Sequence, residues 1–257
     1  MPNVAAVFKR EVKAYFTQPI AYVMMGGFLL IVGFLYYLSW RWFLGISFEA
    51  MRNPAFASQL DFGTMVVGAT IGTIAVVSVF TLPLLTMRMW AEEKRSGTVE
   101  LLLTLPLRDS EIVLGKFLAA LAVYAILLLL TLLYPLLAAA FSSPDPGPIL
   151  AGYLGTFLLG ATLLSLGFLC STWTENQIVA GALAWASFLF FWLIGHAADL
   201  DVGGKLSTLF THLSFATHHD NFVKGVIEIQ DIVFFVLFTL FCLFLTLRSL
   251  ELTRVRG

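Results

Sequence analysis

Long apolar runs separated by short polar segments dominate the chain, and most of these runs have the length of a membrane-spanning helix. About 20 consecutive apolar residues are enough to cross a bilayer as a helix. Runs that meet or approach this length predict transmembrane helices at residues 20–40, 64–87, 111–141, 149–172, 178–194 and 231–247. The pattern therefore predicts an all-α integral membrane protein whose residues 1–257 form a single transmembrane domain.

The first 18 residues have a different pattern, with one apolar and one basic helical face. The apolar face carries Val4, Val7, Phe8, Val12 and Tyr15, and the opposite face carries Lys9, Arg10 and Lys13. Such a helix can lie in the headgroup layer with its cations near anionic lipid, and Pro19 ends it. We expect an interfacial elbow helix over residues 1–18, with an ordinary cytoplasmic tail as the alternative.

Residues 88–110 are too polar to lie in the membrane. A charge at the bilayer centre costs roughly 2.5 to 3.5 kcal/mol even on a lenient scale, so we expect this segment to lie in water. Gly97 interrupts its pattern. A short amphipathic helix is predicted to follow, with Thr98, Leu101, Leu102 and Leu105 at helical spacing, and Pro106 ends it. The apolar side of this helix must cover the membrane surface, a neighbouring helix or another protein, unless the segment is only a surface turn.

The basic residues are distributed unequally between the two sides of the six-helix arrangement. Both termini, the charged stretch at residues 88–116 and the turn at residues 173–177 share one side, which carries eleven of the fifteen Lys and Arg residues: Lys9, Arg10, Lys13, Arg88, Lys94, Arg95, Arg108, Lys116, Arg248, Arg254 and Arg256. The positive-inside rule then places both termini in the cytoplasm. The same rule makes residues 195–230 an extracytoplasmic segment.

Composition supports membrane insertion and excludes several functional classes. The chain is 59% hydrophobic and 12% charged, whereas soluble domains are about 25% charged. The formal net charge of -1 gives no reason to expect nucleic-acid binding. Cys170 and Cys242 both lie within apolar runs, where a thiol is usually a small packing group.

No catalytic residue is predicted, and we do not expect the chain to be an enzyme by itself. Gly115 and Lys116 lack the other residues of a phosphate-binding loop, and no paired carboxylates or Ser/His arrangement lie at membrane depth. The extracytoplasmic segment contains His196, His212, His218 and His219, but their spacing matches no closed metal site. We interpret residues 205–215 as an amphipathic helix and residues 218–220 as a solvated turn, with no metal bound.

The ordered string from Glu92 to Pro106, continued by Arg108, Glu111, Ile112, Gly115 and Lys116, resembles the coupling region of ABC-2 type transporter permeases. In that family the segment is a cytoplasmic coupling helix that docks on a separate ATP-binding subunit. The resemblance implies ATPase-coupling roles for Glu92, Glu93, Gly97, Thr98, Glu100, Leu101, Leu102, Leu105 and Pro106. It identifies no residue that binds the transported substrate.

Residues 221–227, followed by Asp231, resemble the GldF-like and NosY-like branch of this family. The resemblance implies a permease subunit of an ATP-driven export complex in the bacterial inner membrane. No cofactor is expected in this chain, because ATP and Mg would be bound by the partner ATPase, expected in two copies. A second permease, identical or GldG-like with a large extracytoplasmic domain, is also implied. The alternative is a mechanotransmission or scaffold subunit that relays ATPase movement to an extracytoplasmic partner without moving cargo.

Overall fold

The computed structural model describes residues 2–52, 61–97, 108–142, 144–198 and 205–256, and within these ranges every regular element is helical. Six helical stretches are long and apolar enough to cross a membrane: Ala21–Arg52, Gly63–Arg95, Asp109–Phe141, Pro146–Thr172, Gln177–Gly195 and Ile229–Leu252. The structure therefore confirms the predicted all-α architecture with six membrane-spanning helices.

We number the α-helices in chain order. They are α1 (Pro2–Thr17), α2 (Pro19–Arg52), α3 (Ala69–Thr86), α4 (Ala91–Arg95), α5 (Asp109–Thr131), α6 (Leu133–Phe141), α7 (Pro146–Thr172), α8 (Gln177–Ala198), α9 (Lys205–Leu213), α10 (Phe215–Val223) and α11 (Ile229–Arg256). A π-helical segment, Gly63–Gly68, leads directly into α3.

The amphipathic helix α1 lies against α5. Pro19 separates α1 from α2, because proline has no backbone N–H and disfavours helical geometry in the residue before it. Close packing of α1 on α5 depends on Gly115, since a Cβ atom there would lie 2.7 Å from the side chain of Val7. Part of the apolar face of α1 is therefore covered by protein, and Val7 is buried.

Helix α7 forms the centre of the bundle and packs against α3, α5, α8, α10 and α11. Its glycines allow this crowding. A Cβ atom at Gly160 would lie 1.9 Å from the ring of Tyr124, and one at Gly167 would lie 2.3 Å from the hydroxyl of Thr86. Small residues of this kind let helices in membranes approach closely and gain van der Waals contact.

Helix α2 continues to Arg52, well beyond the predicted end of the first span at residue 40. The rings of Phe62 and Phe141 pack edge-on against Trp40, at centroid distances of 5.1 and 5.5 Å. These contacts hold α2 at Trp40, where its extension begins. The mixture of polar and apolar residues at 41–63 predicts an extracytoplasmic loop instead, and residues 53–60 of that predicted loop lie outside the described residues.

The third span is interrupted at Leu132, between α5 and α6. Pro135 explains the break, because it cannot donate a helical hydrogen bond to the carbonyl of Thr131. The hydroxyl of Thr131 instead lies 3.2 Å from that of Tyr153 on α7. The break is thus stabilised by a contact with the central helix.

The segment between α8 and α11 contains two short helices, and our interpretation of residues 218–220 as a solvated turn is wrong. The hydroxyl of Ser214 accepts a hydrogen bond from the backbone of Thr217 at 3.3 Å and caps the start of α10. Residues 218–220 lie within α10. His218 and His219 are buried there because Phe215 and Phe222 of the same helix are fully buried and pack that helix against the bundle.

Candidate functional site

Only part of the predicted coupling site lies within the described residues. Glu92 and Glu93 are on α4, and Gly97 follows it with a φ of +68°. This left-handed conformation favours glycine and is typical of a residue just beyond a helix C-terminus. The remaining predicted residues lie outside the described residues: Thr98, Glu100, Leu101, Leu102, Leu105 and Pro106.

Four charged side chains meet at the base of this segment, and we call them the ionic cluster: Arg10, Glu11, Glu93 and Lys116. The Nζ atom of Lys116 lies 2.7 Å from a carboxylate oxygen of Glu93 and 3.2 Å from one of Glu11. Arg10 contacts the same oxygen of Glu11 at 2.6 Å and that of Glu93 at 3.7 Å. The ionic cluster therefore joins α1, α4 and α5.

Lys116 is almost fully buried, with 2% of its side chain exposed. Besides the two carboxylates, its ammonium group donates to the carbonyl of Met89 at 3.4 Å and lies 5.3 Å from the ring centre of Trp90. These partners provide for the three donors of the ammonium group and add a cation–π contact. A buried charge is tolerated when it is paired and hydrogen-bonded in this way.

The electrostatics of Glu11 follow from the same contacts. Burial by itself would raise the pKa of Glu11, but the nearby charges of Lys116 and Arg10 and their hydrogen bonds outweigh burial and hold its pKa below the ordinary value. Glu11 is therefore charged at neutral pH. The ionic cluster then contains two cations and two anions, which balance each other.

A second connection links α4 to the central helix. Lys94 donates a 2.5 Å hydrogen bond from its ammonium group to the carbonyl of Thr172, the last residue of α7. A cation at this position satisfies an unpaired carbonyl and is favourable for the helix dipole. The rings of Trp90 and Phe168 also pack together, with centroids 5.6 Å apart. The segment before Gly97 is thus attached to α7 as well as to α1 and α5.

The other end of the predicted coupling segment, residues 88–110, is anchored by Glu111 in the first turn of α5. One carboxylate oxygen of Glu111 accepts hydrogen bonds from the backbone N–H of Arg108 and from the side chain of Asn3, both at 3.1 Å. The first contact caps α5, and the second ties its start to α1. The described residues on either side of 98–107 are therefore attached to the same group of packed helices.

The sequence did not predict that Glu11 and Lys116 contribute to this site, because the charged residues from Arg88 to Lys116 were expected to lie in water. A signal was available, because Lys116 stands one turn inside an apolar run and a cation there needs a partner. Glu92, in contrast, is exposed. The two predicted glutamates therefore differ, since Glu93 faces the protein interior.

The buried histidines form a separate polar network on the predicted outer side. His218 lies 2.5 Å from Asp231 on α11, whose other carboxylate oxygen accepts a 2.9 Å hydrogen bond from Asn221. The hydroxyl of Thr156 donates to the carbonyl of Gly152 and so accepts from Nε2 of His219, at 3.0 Å. Burial lowers the pKa of His219 to about 4. The network attaches α10 to α7 and α11.

Comparison with known proteins identifies the family. Residues 5–224 match the family described as "ABC-2 family transporter protein". The chain is 30% identical to the "Probable ABC transporter permease protein NosY" of Pseudomonas aeruginosa over 180 residues, which cover 63% of this chain and 65% of that protein. The protein of the same name from Stutzerimonas stutzeri is 29% identical over 170 residues, or 58% of this chain and 60% of the relative.

The matched regions thus span less than two thirds of the length of these two relatives. The family match, in contrast, includes most of this chain, from α1 to the end of α10. It confirms the resemblance predicted from the coupling segment, and the two relatives support a NosY-like branch. Because the described residues include six helices able to span a membrane, this chain is a multi-pass membrane protein that belongs to the ABC-2 transporter family.

Proposed function

We propose that this chain is the membrane-spanning permease subunit of an ATP-driven export complex, and that residues 88–110 couple it to a separate ATPase. The observation that carries this proposal is the ionic cluster, in which one buried lysine joins α1, α4 and α5 directly beside the coupling segment. A displacement of α4 relative to α5 would break a buried ion pair. The packed helices therefore favour movement of this region as a unit.

Energy for transport would come from partner subunits. ATP and Mg would be bound by a separate ATP-binding subunit, expected in two copies, on which the apolar residues Leu101, Leu102 and Leu105 would dock. Glu100, in the same segment, would supply a carboxylate to pair with a basic residue of such a partner. A conformational change of the ATPase would then be passed through α4 to α1, α5 and α7.

A second permease completes the proposed assembly, because six membrane-spanning helices make half of a transporter of this type. It would be either an identical chain or a GldG-like protein with a large extracytoplasmic domain. The unequal distribution of basic residues supports a location in the bacterial inner membrane with both termini and the coupling segment in the cytoplasm. Helices α9 and α10 would then lie on the extracytoplasmic side.

The docking step is tested by replacing Leu102 with aspartate. We expect Leu102→Asp to abolish recovery of the ATPase with the tagged permease, because a charge would be placed in a buried apolar contact. Leu102→Met is the control, since it conserves volume and apolarity and should assemble normally. Normal ATPase recovery and turnover with Leu102→Asp, at wild-type levels of membrane insertion, would contradict the proposed docking.

A mechanotransmission role is distinguished from export by the response of ATP turnover. If cargo is exported, ATP hydrolysis by the reconstituted complex should rise when the cargo is supplied on the cytoplasmic side. If an extracytoplasmic partner is moved instead, ATP hydrolysis should respond to that partner and not to any transported molecule. The second result would contradict the proposed export of cargo, but the proposed coupling to the ATPase would still hold.

A further inference from the structure

A cavity of about 320 Å³ lies between α1, the start of α2, the end of α3 and α4. Its lining changes along its length. Ala21, Met24, Leu84 and Leu85 form an apolar end, whereas Gln18, Arg88, Glu92 and the ionic cluster form a polar end. The cavity is therefore amphipathic, and neither a purely apolar nor a purely polar ligand would match both ends.

The position of the cavity corresponds to the headgroup layer of a membrane. It lies at the junction where the amphipathic helix α1 meets the apolar helix α2, and amphipathic helices of this kind lie in the interfacial region. Leu84, at the apolar end, is 42% exposed and faces away from the bundle core. The cavity therefore adjoins the surface that membrane lipids cover.

The charges at the polar end differ in how well they are neutralised. The ionic cluster contains two cations and two anions that pair with one another. The remaining lining charges are those of Arg88 and Glu92, which stand one helical turn apart because the backbone N–H of Glu92 donates to the carbonyl of Arg88 at 3.3 Å. The cavity thus presents one further cation and one further anion.

Arg88 has an incomplete set of acceptors within the part of the chain that the structure describes. One of its terminal nitrogens donates a long 3.4 Å hydrogen bond to the side chain of Gln18. Its Nε atom is buried and has no acceptor among the described residues. Buried polar groups usually have a partner, and a planar guanidinium group binds phosphate oxygens with two parallel hydrogen bonds.

We propose that the cavity binds the headgroup of a membrane phospholipid of the phosphatidylethanolamine type. The phosphate would accept hydrogen bonds from Arg88, and the primary ammonium group would pair with Glu92. Small-molecule pockets have volumes of about 300 to 1,000 Å³, so this cavity holds a headgroup and leaves the acyl chains to extend past Leu84 into the membrane. The bound lipid would fill the gap between α1 and the end of α3.

The proposal is tested by native mass spectrometry of the full chain in its complex, after removal of lipid and titration with defined lipids. The probes are phosphatidylethanolamine, phosphatidylglycerol and soluble glycerophosphoethanolamine. Arg88→Gln should weaken binding of both lipids by about tenfold or more, through loss of a charge-assisted hydrogen bond. Glu92→Gln should remove the preference for phosphatidylethanolamine. The control is Arg95→Gln, which removes an exposed cation that does not line the cavity and should bind as the wild type does.

Two results would overturn the proposal. One is wild-type lipid retention by Arg88→Gln, and the other is binding of glycerophosphoethanolamine as tightly as the lipid, which would identify a soluble phosphate ester as the ligand. If Arg88→Gln fails to fold, Met24→Trp serves instead, because it fills the apolar end and should displace the lipid while leaving both charges in place. Lipid binding is measured directly, so the result does not depend on whether residues 88–110 dock on an ATPase.

Discussion

At the scale of single residues, Lys116 combines a charge with nearly complete burial. Two carboxylates, a backbone carbonyl and an indole ring surround its ammonium group. Replacement of a whole buried ion pair by apolar residues can be neutral, but removal of one partner leaves the other charge buried and uncompensated. Removal of Lys116 is therefore expected to destabilise the protein chiefly because the carboxylates paired with it would be left buried and uncompensated.

We predict that Lys116→Met destabilises the protein by about 3 to 5 kcal/mol, because Glu11 and Glu93 lose their buried cation. Thermal unfolding of the purified chain in detergent measures the effect. The control is Arg248→Gln, which disrupts an exposed pair with Glu251 and should cost about 0 to 1 kcal/mol. Adding Glu11→Gln and Glu93→Gln to Lys116→Met should recover part of the loss. Equal shifts for Lys116→Met and the control would show that the ionic cluster is not structurally important.

His219 gives a prediction for pH. Its pKa is lowered to about 4 by burial, while an unfolded histidine titrates near 6.5. Between these values the unfolded chain binds a proton that the folded chain does not, so stability falls as the pH is lowered from about 6.5 towards 4. The full effect of His219 is on the order of 3 kcal/mol.

The His219→Gln variant provides the comparison for this pH dependence, since glutamine can hydrogen-bond to Thr156 but does not titrate. Unfolding of both proteins is followed between pH 7.5 and 4.5. The wild type should lose more stability than the variant across this interval, although both retain the pair of His218 and Asp231. Parallel curves for the two proteins would mean that His219 is accessible to protons in the folded state.

At the scale of the helices, the close crossing of α5 and α7 depends on the absence of a side chain at Gly160. A Cβ atom there would lie 1.9 Å from the ring of Tyr124. Tyr124 cannot easily move away, because its hydroxyl lies 3.0 Å from that of Ser78 and donates to the carbonyl of Thr156 at 3.2 Å. An added methyl group would therefore separate the helices.

We predict that Gly160→Ala destabilises the bundle by about 1 to 3 kcal/mol, as expected for overpacking. Gly72→Ala is the matched control in another membrane helix, because a Cβ atom at Gly72 would meet nothing within 4 Å. That variant should be neutral or slightly stabilising, since alanine favours helix more than glycine does. Unfolding temperatures of the two variants provide the measurement. A neutral Gly160→Ala would contradict the tight crossing.

Local sequence signals predicted the helices better than their ends. Pro19 ends α1 as expected, since the effect of proline on the backbone is local. The end of α2 was predicted too early, because Trp40 is held by Phe62 and Phe141, which are distant in sequence. The polar partners of the buried His218 and His219 were missed for a similar reason. They lie on α7 and α11, and no pattern within α10 specifies them.

The functional site shows the same division between local and distant information. The charged segment and its Gly97 were recognisable from a continuous string of residues. The pairing of Glu11 with Lys116 was not, because it joins residues separated by 105 positions. The apolar run around Lys116 indicates that its charge needs a partner, but only the packing of α1 on α5 determines which carboxylate pairs with it.

At the scale of the whole molecule, the orientation in the membrane remains a prediction from the basic residues. A cysteine introduced by Ser207→Cys on α9 should react with a membrane-impermeant thiol reagent only from outside intact cells. One introduced by Ser96→Cys, just after α4, should react only when the cytoplasmic side is opened. The native Cys170 and Cys242 are buried, so the wild-type chain gives the background. Labelling of Ser207→Cys solely from the cytoplasmic side would reverse the topology.

The coupling role is the central functional claim, and it requires a separate ATP-binding subunit to assemble with this chain. The most direct measurement is affinity purification of the tagged chain from gently solubilised native membranes, with every stoichiometric companion identified. We predict recovery of an ATP-binding subunit together with a second permease, and loss of the ATP-binding subunit with Leu102→Asp. Recovery of this chain alone, repeated in a second mild detergent, would contradict the account.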